Sequence, residues 1–91
     1  MNTNELRERL DALFPQLVDE LSQLVAIPSV SSDPSHAADV DRSAEHIRSR
    51  FEALGLDAQI HSVTTPEGVQ GKPAILARSP HIEGSPTVLL Y

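Results

Sequence analysis

Residues 87–91 read Thr-Val-Leu-Leu-Tyr, an apolar run with no polar face. Side chains alternate between the two faces of a strand, so consecutive apolar positions demand cover on both sides. A strand of that kind needs helices above and below it and neighbouring strands at its edges. The chain has 91 residues, and a domain of such length buries only roughly 60% of its unfolded surface. The run at 87–91 therefore predicts an α/β fold in which residues 1–91 form the N-terminal part of a larger, mixed-sheet domain.

The residues ahead of it supply helices. Leu6, Leu10, Leu13, Leu17, Leu21 and Leu24 recur at steps of three and four, and Phe14, Val18 and Val25 widen the stripe. This period predicts a helix over roughly 4–25, capped by Thr3 or Asn4. Pro15 lacks a backbone N–H and disfavours helical geometry at Phe14, which predicts a kink or break near 13–15. Two prolines and four serines in residues 27–35 predict a loop held by Ile27 and Val30. Val40, Ala44, Ile47, Phe51 and Leu54 then mark a second helix over 37–54. Gly55 follows where a left-handed C-cap is needed. Its opposite face carries Glu45, Arg48, Ser49 and Glu52, read as solvent-side neighbours at Glu45–Ser49 and Arg48–Glu52.

Past Gly55 the period falls to two. Leu56, Ala58, Ile60 and Val63 alternate with polar residues, predicting a strand over 57–63; residues 64–72 turn, and 73–78 form an antiparallel partner strand. Residues 79–86 turn again before the strand expected at 87–91. The architecture expected is thus two N-terminal helices packed on the first strands of a mixed sheet.

Charge and composition narrow the function classes. The net charge is −6, and the basic residues are scattered rather than clustered, which argues against a nucleic-acid surface and against an anionic membrane as partner. There is no cysteine, so disulfide scaffolds and thiolate zinc sites are excluded. The N-terminus has no signal-peptide pattern and no apolar run approaches membrane-spanning length; a cytoplasmic protein is the expectation.

No residue presents catalytic spacing. His36, His46, His61 and His81 lie on separate elements, with no pair at the spacing that sets two ligands on one side. The serines at 29, 31, 32 and 35 lie between prolines after a helix, unlike the strand-to-helix turn of a nucleophilic serine, and read as turn chemistry. Asp39 and Asp41 read as a solvated helix face. Gly68 and Gly71 lack a phosphate-loop pattern. The residues by themselves assign no catalytic, cofactor-binding or metal-ligating position.

Taken in order, the stretch VAIPSVSSDPSHAADVDRSAEHIRSRFEALGLDAQIHSV, then KPAILAR, then TVLLY, resembles the N-terminal signature of the di-zinc exopeptidases. This group includes bacterial dipeptidases, carnosinase, aminoacylase and the desuccinylases, and the dipeptidase branch looks most similar. The resemblance spans essentially the whole chain. It implies an incomplete zinc-exopeptidase-like catalytic domain, truncated before the G-H-x-D motif that follows the TVLLY strand in that family. It also implies, for a full-length relative, hydrolysis of peptide or N-acyl amide bonds by a water that two Zn²⁺ ions activate. Small peptides or N-acyl amino acids would be the substrates, and a homodimer would form through a domain absent here. No family ligand maps onto a position of this chain, so the segment itself is expected to be inactive and to bind no zinc. Two alternatives remain open: a non-catalytic helical adaptor or interaction module with exposed leucine stripes, and a small stand-alone regulatory domain.

Overall fold

The computed structural model describes residues 1–91. It is a small α/β fold of two helices and a two-stranded antiparallel sheet. Helix α1 spans Thr3–Val25. A single 3₁₀ turn, Pro34–His36, leads directly into helix α2, Ala37–Ala53. Strands β1, Asp57–His61, and β2, Ala74–Arg78, complete the ordered elements. No helix is long and apolar enough to cross a membrane.

Helix α1 starts one residue earlier than the leucine period required. Its N-cap is Asn2, not Thr3 or Asn4. The Glu5 amide donates to Asn2 Oδ1 at 2.9 Å, and the Asn2 amide donates back to Glu5 Oε2 at 3.3 Å. This reciprocal capping box satisfies two of the donors that every helix start leaves open. The expected break at 13–15 does not occur: the helix runs unbroken through Pro15. Nine residues separate Pro15 from both Leu6 and Leu24, which sets it on the side of the helix opposite the stripe. Pro15 is exposed there, and water can serve the carbonyl that has lost its partner.

The core belongs to α2 and the hairpin. β1 and β2 pair in a register that sets Ala58 against Ala77 and Ile60 against Ile75. Helix α2 lies across both strands, with Ala44 and Ala58 the only two buried residues of the chain. Ile47, Phe51, Leu56, Ile75 and Ala77 are half-buried around them. Alanine at both central positions lets helix and sheet approach closely.

The passage from α2 to β1 follows the sequence expectation. Gly55 has φ +85°, its amide donates to the Glu52 carbonyl at 2.9 Å, and the Leu56 amide donates to the Phe51 carbonyl at 3.1 Å. Those two bonds are a Schellman closure, in which the left-handed residue favours glycine. The helix ends at Ala53, with Leu54 as C-cap and 72% exposed, so the stripe stops one turn short of the Leu54 expected.

β1 is shorter than the predicted 57–63. The chain leaves the ladder after His61 and closes the hairpin by an isolated bridge, Thr64 to Gln70. Between them Thr65 to Gly68 form a tight turn with Pro66 second, the place where its fixed φ fits. The Gly71 amide donates to the Val63 carbonyl at 2.7 Å. A Cβ on Gly71 would meet that same oxygen at 2.8 Å.

The strand expected at 87–91 is absent. Residues 85–91 carry no regular secondary structure, and Val88 and Leu90 are 74% and 88% exposed. A strand exists only where another supplies its hydrogen bonds, and no segment of this chain pairs with 87–91. The sheet of residues 1–91 is accordingly two-stranded and antiparallel.

Candidate functional site

Two features stand out on the molecule: a polar groove between α2 and the hairpin, and the open stripe of α1. The groove has a volume of about 370 Å³ and is lined by Asp41, Ala44 and Glu45 from α2 and by Ile60, Ser62, Gln70, Gly71 and Pro73 from the hairpin. Gln70 Nε2 donates to Ser62 Oγ at 3.1 Å across the hairpin mouth. Glu45 is turned along its helix toward Arg48, whose guanidinium it grips. Arg48 reaches Glu52 on its other side at 2.6 Å. The pair read from sequence as Glu45–Ser49 is therefore Glu45–Arg48, three residues apart; Ser49 instead donates its hydroxyl to the His46 carbonyl at 2.8 Å. The Arg48 hydrogen bond holds the Glu45 carboxyl below the usual range, and the two glutamates raise the Arg48 guanidinium further. With Glu45 so engaged, Asp41 is the one groove carboxylate without an ion pair.

The serine-rich loop performs the turn chemistry expected for it. Asp33 Oδ1 accepts from both the amide and the hydroxyl of Ser35, at 2.9 and 2.8 Å. Those bonds, the hydroxyl first, draw the Asp33 carboxyl below its ordinary value. His36 sits at the head of α2, with Nδ1 2.8 Å from Asp39 Oδ2 and Nε2 4.0 Å from Asp33 Oδ2. Asp39 also meets Arg42 at 3.2 Å and its side chain is only 23% exposed. The solvated face expected at Asp39 is thus a small His–Asp–Arg chain at the helix start, where an anion is favoured by the helix dipole. The i, i+3 spacing of His36, Asp39 and Arg42 was the signal that could have found it.

The other histidines stay apart. His46 is half-buried on α2, His61 is exposed at the end of β1, and His81 lies 3.2 Å from Glu83 in the loop after β2. No three histidines or carboxylates converge as a metal site would require. Chemically, the groove and the helix head offer hydrogen bonding and charge pairing, with no nucleophile–base pair within reach.

Helix α1 contributes no buried residue. Glu20 and Leu24 are its only half-buried positions. Glu20 Oε1 accepts from Gln16 Nε2 at 2.9 Å and from Arg50 Nη2 of α2 at 2.5 Å. Gln16 first, then Arg50, keeps the Glu20 carboxyl low. That Arg50–Glu20 contact is the one ion pair between the helices, and the rest of the leucine stripe faces outward.

No family model, curated protein or solved structure matches this chain.

Proposed function

We propose that residues 1–91 are the N-terminal part of a catalytic domain of the di-zinc exopeptidase kind, acting on small peptides or N-acyl amino acids. In this reading the chain is scaffold and supplies neither a metal ligand nor a catalytic group. The observation that supports it most is the distribution of apolar surface. Leucine, valine and phenylalanine side chains line α1, residues 87–91 are almost wholly apolar, and both are open. Monomeric soluble proteins rarely leave large contiguous apolar patches uncovered. The order helix, proline-and-serine loop, helix, hairpin agrees with the resemblance noted in the sequence. The reading predicts that the coding sequence after Tyr91 continues with a G-H-x-D motif. It also predicts that the longer product binds zinc and releases amino acids from dipeptides, while residues 1–91 do neither. A gene that lacks this continuation, or stoichiometric zinc binding by residues 1–91 in calorimetry, overturns it.

A second reading is supported by α1 itself. A 23-residue helix with no buried position is what a helical interaction module would present. Sequencing past Tyr91 separates the two: a helical module needs no G-H-x-D continuation.

A further inference from the structure

We propose that α1 is a rigid arm hinged at residues 28–32 and latched onto α2 by the Glu20–Arg50 ion pair, so that releasing the pair lets the arm swing while α2 and the hairpin keep their arrangement. The inference rests on contacts inside residues 1–91 and is independent of the exopeptidase reading.

The arm projects from the rest of the chain. A helix of 23 residues is about 34 Å long, and α2 is the only element that α1 meets. The half-buried positions of α1, Glu20 and Leu24, both lie in its C-terminal third, and Ile27 just past the helix is half-buried as well. The Cα radius of gyration is 16.7 Å, against about 12 Å for a compact domain of this length.

The hinge lies where hydrogen bonding is only local. Up to Ile27 the backbone belongs to α1: the amides of Ala26 and Ile27 donate to the carbonyls of Ser22 and Leu24. From Asp33 onward it belongs to α2, because Asp33 holds Ser35 and His36 meets Asp39. Between these blocks Pro28 has no N–H to give. The amides of Ser29 and Val30 donate only two residues back, to the Ile27 and Pro28 carbonyls at 2.7 and 2.9 Å, and the Asp33 amide reaches Val30 at 3.2 Å. Ser31 and Ser32 bond to neither helix. A few element-terminal residues of this kind absorb a change in φ and ψ without breaking the elements they join.

The latch is built to open. Gln16 Nε2, on the same helix, places the Glu20 carboxylate at 2.9 Å, and Arg50 Nη2 closes on it from α2 at 2.5 Å. The Glu20 and Arg50 side chains are 27% and 42% exposed, so water and salt reach both. An exposed pair of this sort is screened by ions and shifts an equilibrium by up to about fivefold. It is the one hydrogen-bonded contact between the helices. Leu24 and Ile27 add apolar contact without direction, so the pair sets the angle at which the arm rests.

The chain has no cysteine, so pairs of spin labels can be placed at chosen sites and their distances read by pulsed dipolar spectroscopy. Labels at Ala12→Cys on α1 and Gln59→Cys on β1 report the arm, and in dilute buffer one dominant distance is expected. Glu20→Gln, Arg50→Gln or about 1 M salt is each expected to raise the weight of other distances by up to about fivefold. The exchange of Glu20→Arg with Arg50→Glu in one chain is expected to return the single distance. Two control pairs separate swinging from unfolding. Labels at Asn4→Cys and Gln23→Cys lie within α1, and labels at Ala53→Cys and Lys72→Cys join α2 to the hairpin; both distances are expected to stay constant throughout. Should Glu20→Gln weaken α1 by loosening Gln16, Arg50→Gln leaves that helix untouched and still decides. A distribution between Ala12 and Gln59 that neither variant changes, an exchanged chain as broad as the separate variants, or a distance within α1 that disperses when the pair is removed would overturn the hinge and latch.

Discussion

Helices α1 and α2 carry amphipathic stripes of similar quality, yet only α2 has something to lie on. The turn at Gly55 and the hairpin behind it fold the sheet back beneath α2, so Ala44 becomes buried against the strands. Residues 26–36 separate α1 from α2, and one ion pair ties them. The period of a stripe states that a face must be covered; the connection that follows decides whether the same chain covers it. Helix α1 therefore depends on its own caps and side-chain bonds. These are the Asn2–Glu5 box, Gln16 to Glu20, and Gln23 to Asp19 at 3.1 Å.

That contrast can be broken or sharpened by substitution. The largest effect is expected at Pro15. Replacing it with Ala restores an N–H to the middle of α1 and is expected to favour that helix by up to about 3 kcal/mol. Hydrogen exchange would show slower amides across α1 with those of β1 and β2 unchanged. Faster exchange in α1 would mean that Pro15 is needed for the helix. Next is Ala44→Leu, which overfills the contact with the hairpin and should cost about 1–3 kcal/mol. Denaturant unfolding monitored on α2 and the hairpin measures it, and an unchanged midpoint would show that the α2–hairpin contact is loose. Gly71→Ala should cost about 1 kcal/mol by forcing a Cβ against the Val63 carbonyl. Its signature is lost protection at 62–71 without change in α1.

The smallest effect is expected from acid. Glu20, Asp33 and Glu45 all hold their carboxyls below the ordinary value. A carboxyl depressed in the folded state binds protons more readily when unfolded, so its stabilisation is complete above the ordinary carboxylate range. It is lost as pH falls through the lower folded values. Thermal midpoints should be flat from neutrality down to that range and decline below it. Asp33 and Glu45 are exposed and Glu20 is half-buried at the surface, so the decline is small. A midpoint that rises on acidification would contradict the pairings.

The helices were legible because each residue's neighbours three and four positions away are in the sequence itself. The Gly55 closure was legible for the same reason: its two bonds span at most five residues. Sequence reasoning failed where the answer depended on what lies across from a residue. Pro15 looked like a break because its cost is local and visible, whereas its exposed position opposite the stripe is a property of the whole helix. Residues 87–91 looked like a buried strand because their composition asks for partners, and composition cannot say whether partners are present. Around the candidate site, the reading of Ser35 as turn chemistry held. Asp39 was misjudged, since its neighbours His36 and Arg42 lie one turn to either side and enclose it.

Every contact of α2 with the hairpin joins stretches that are consecutive along the chain. A folding chain must close only short loops to reach them, and short closures lose little entropy. Topologies of that kind fold on the microsecond-to-millisecond scale. Residues 37–78 should therefore acquire their native arrangement as one early kinetic unit, with refolding amplitude from α2 and the hairpin appearing together. The ion pair from Arg50 to Glu20 then captures α1 as a late, reversible step, and mutations at that pair should alter unfolding rates more than folding rates.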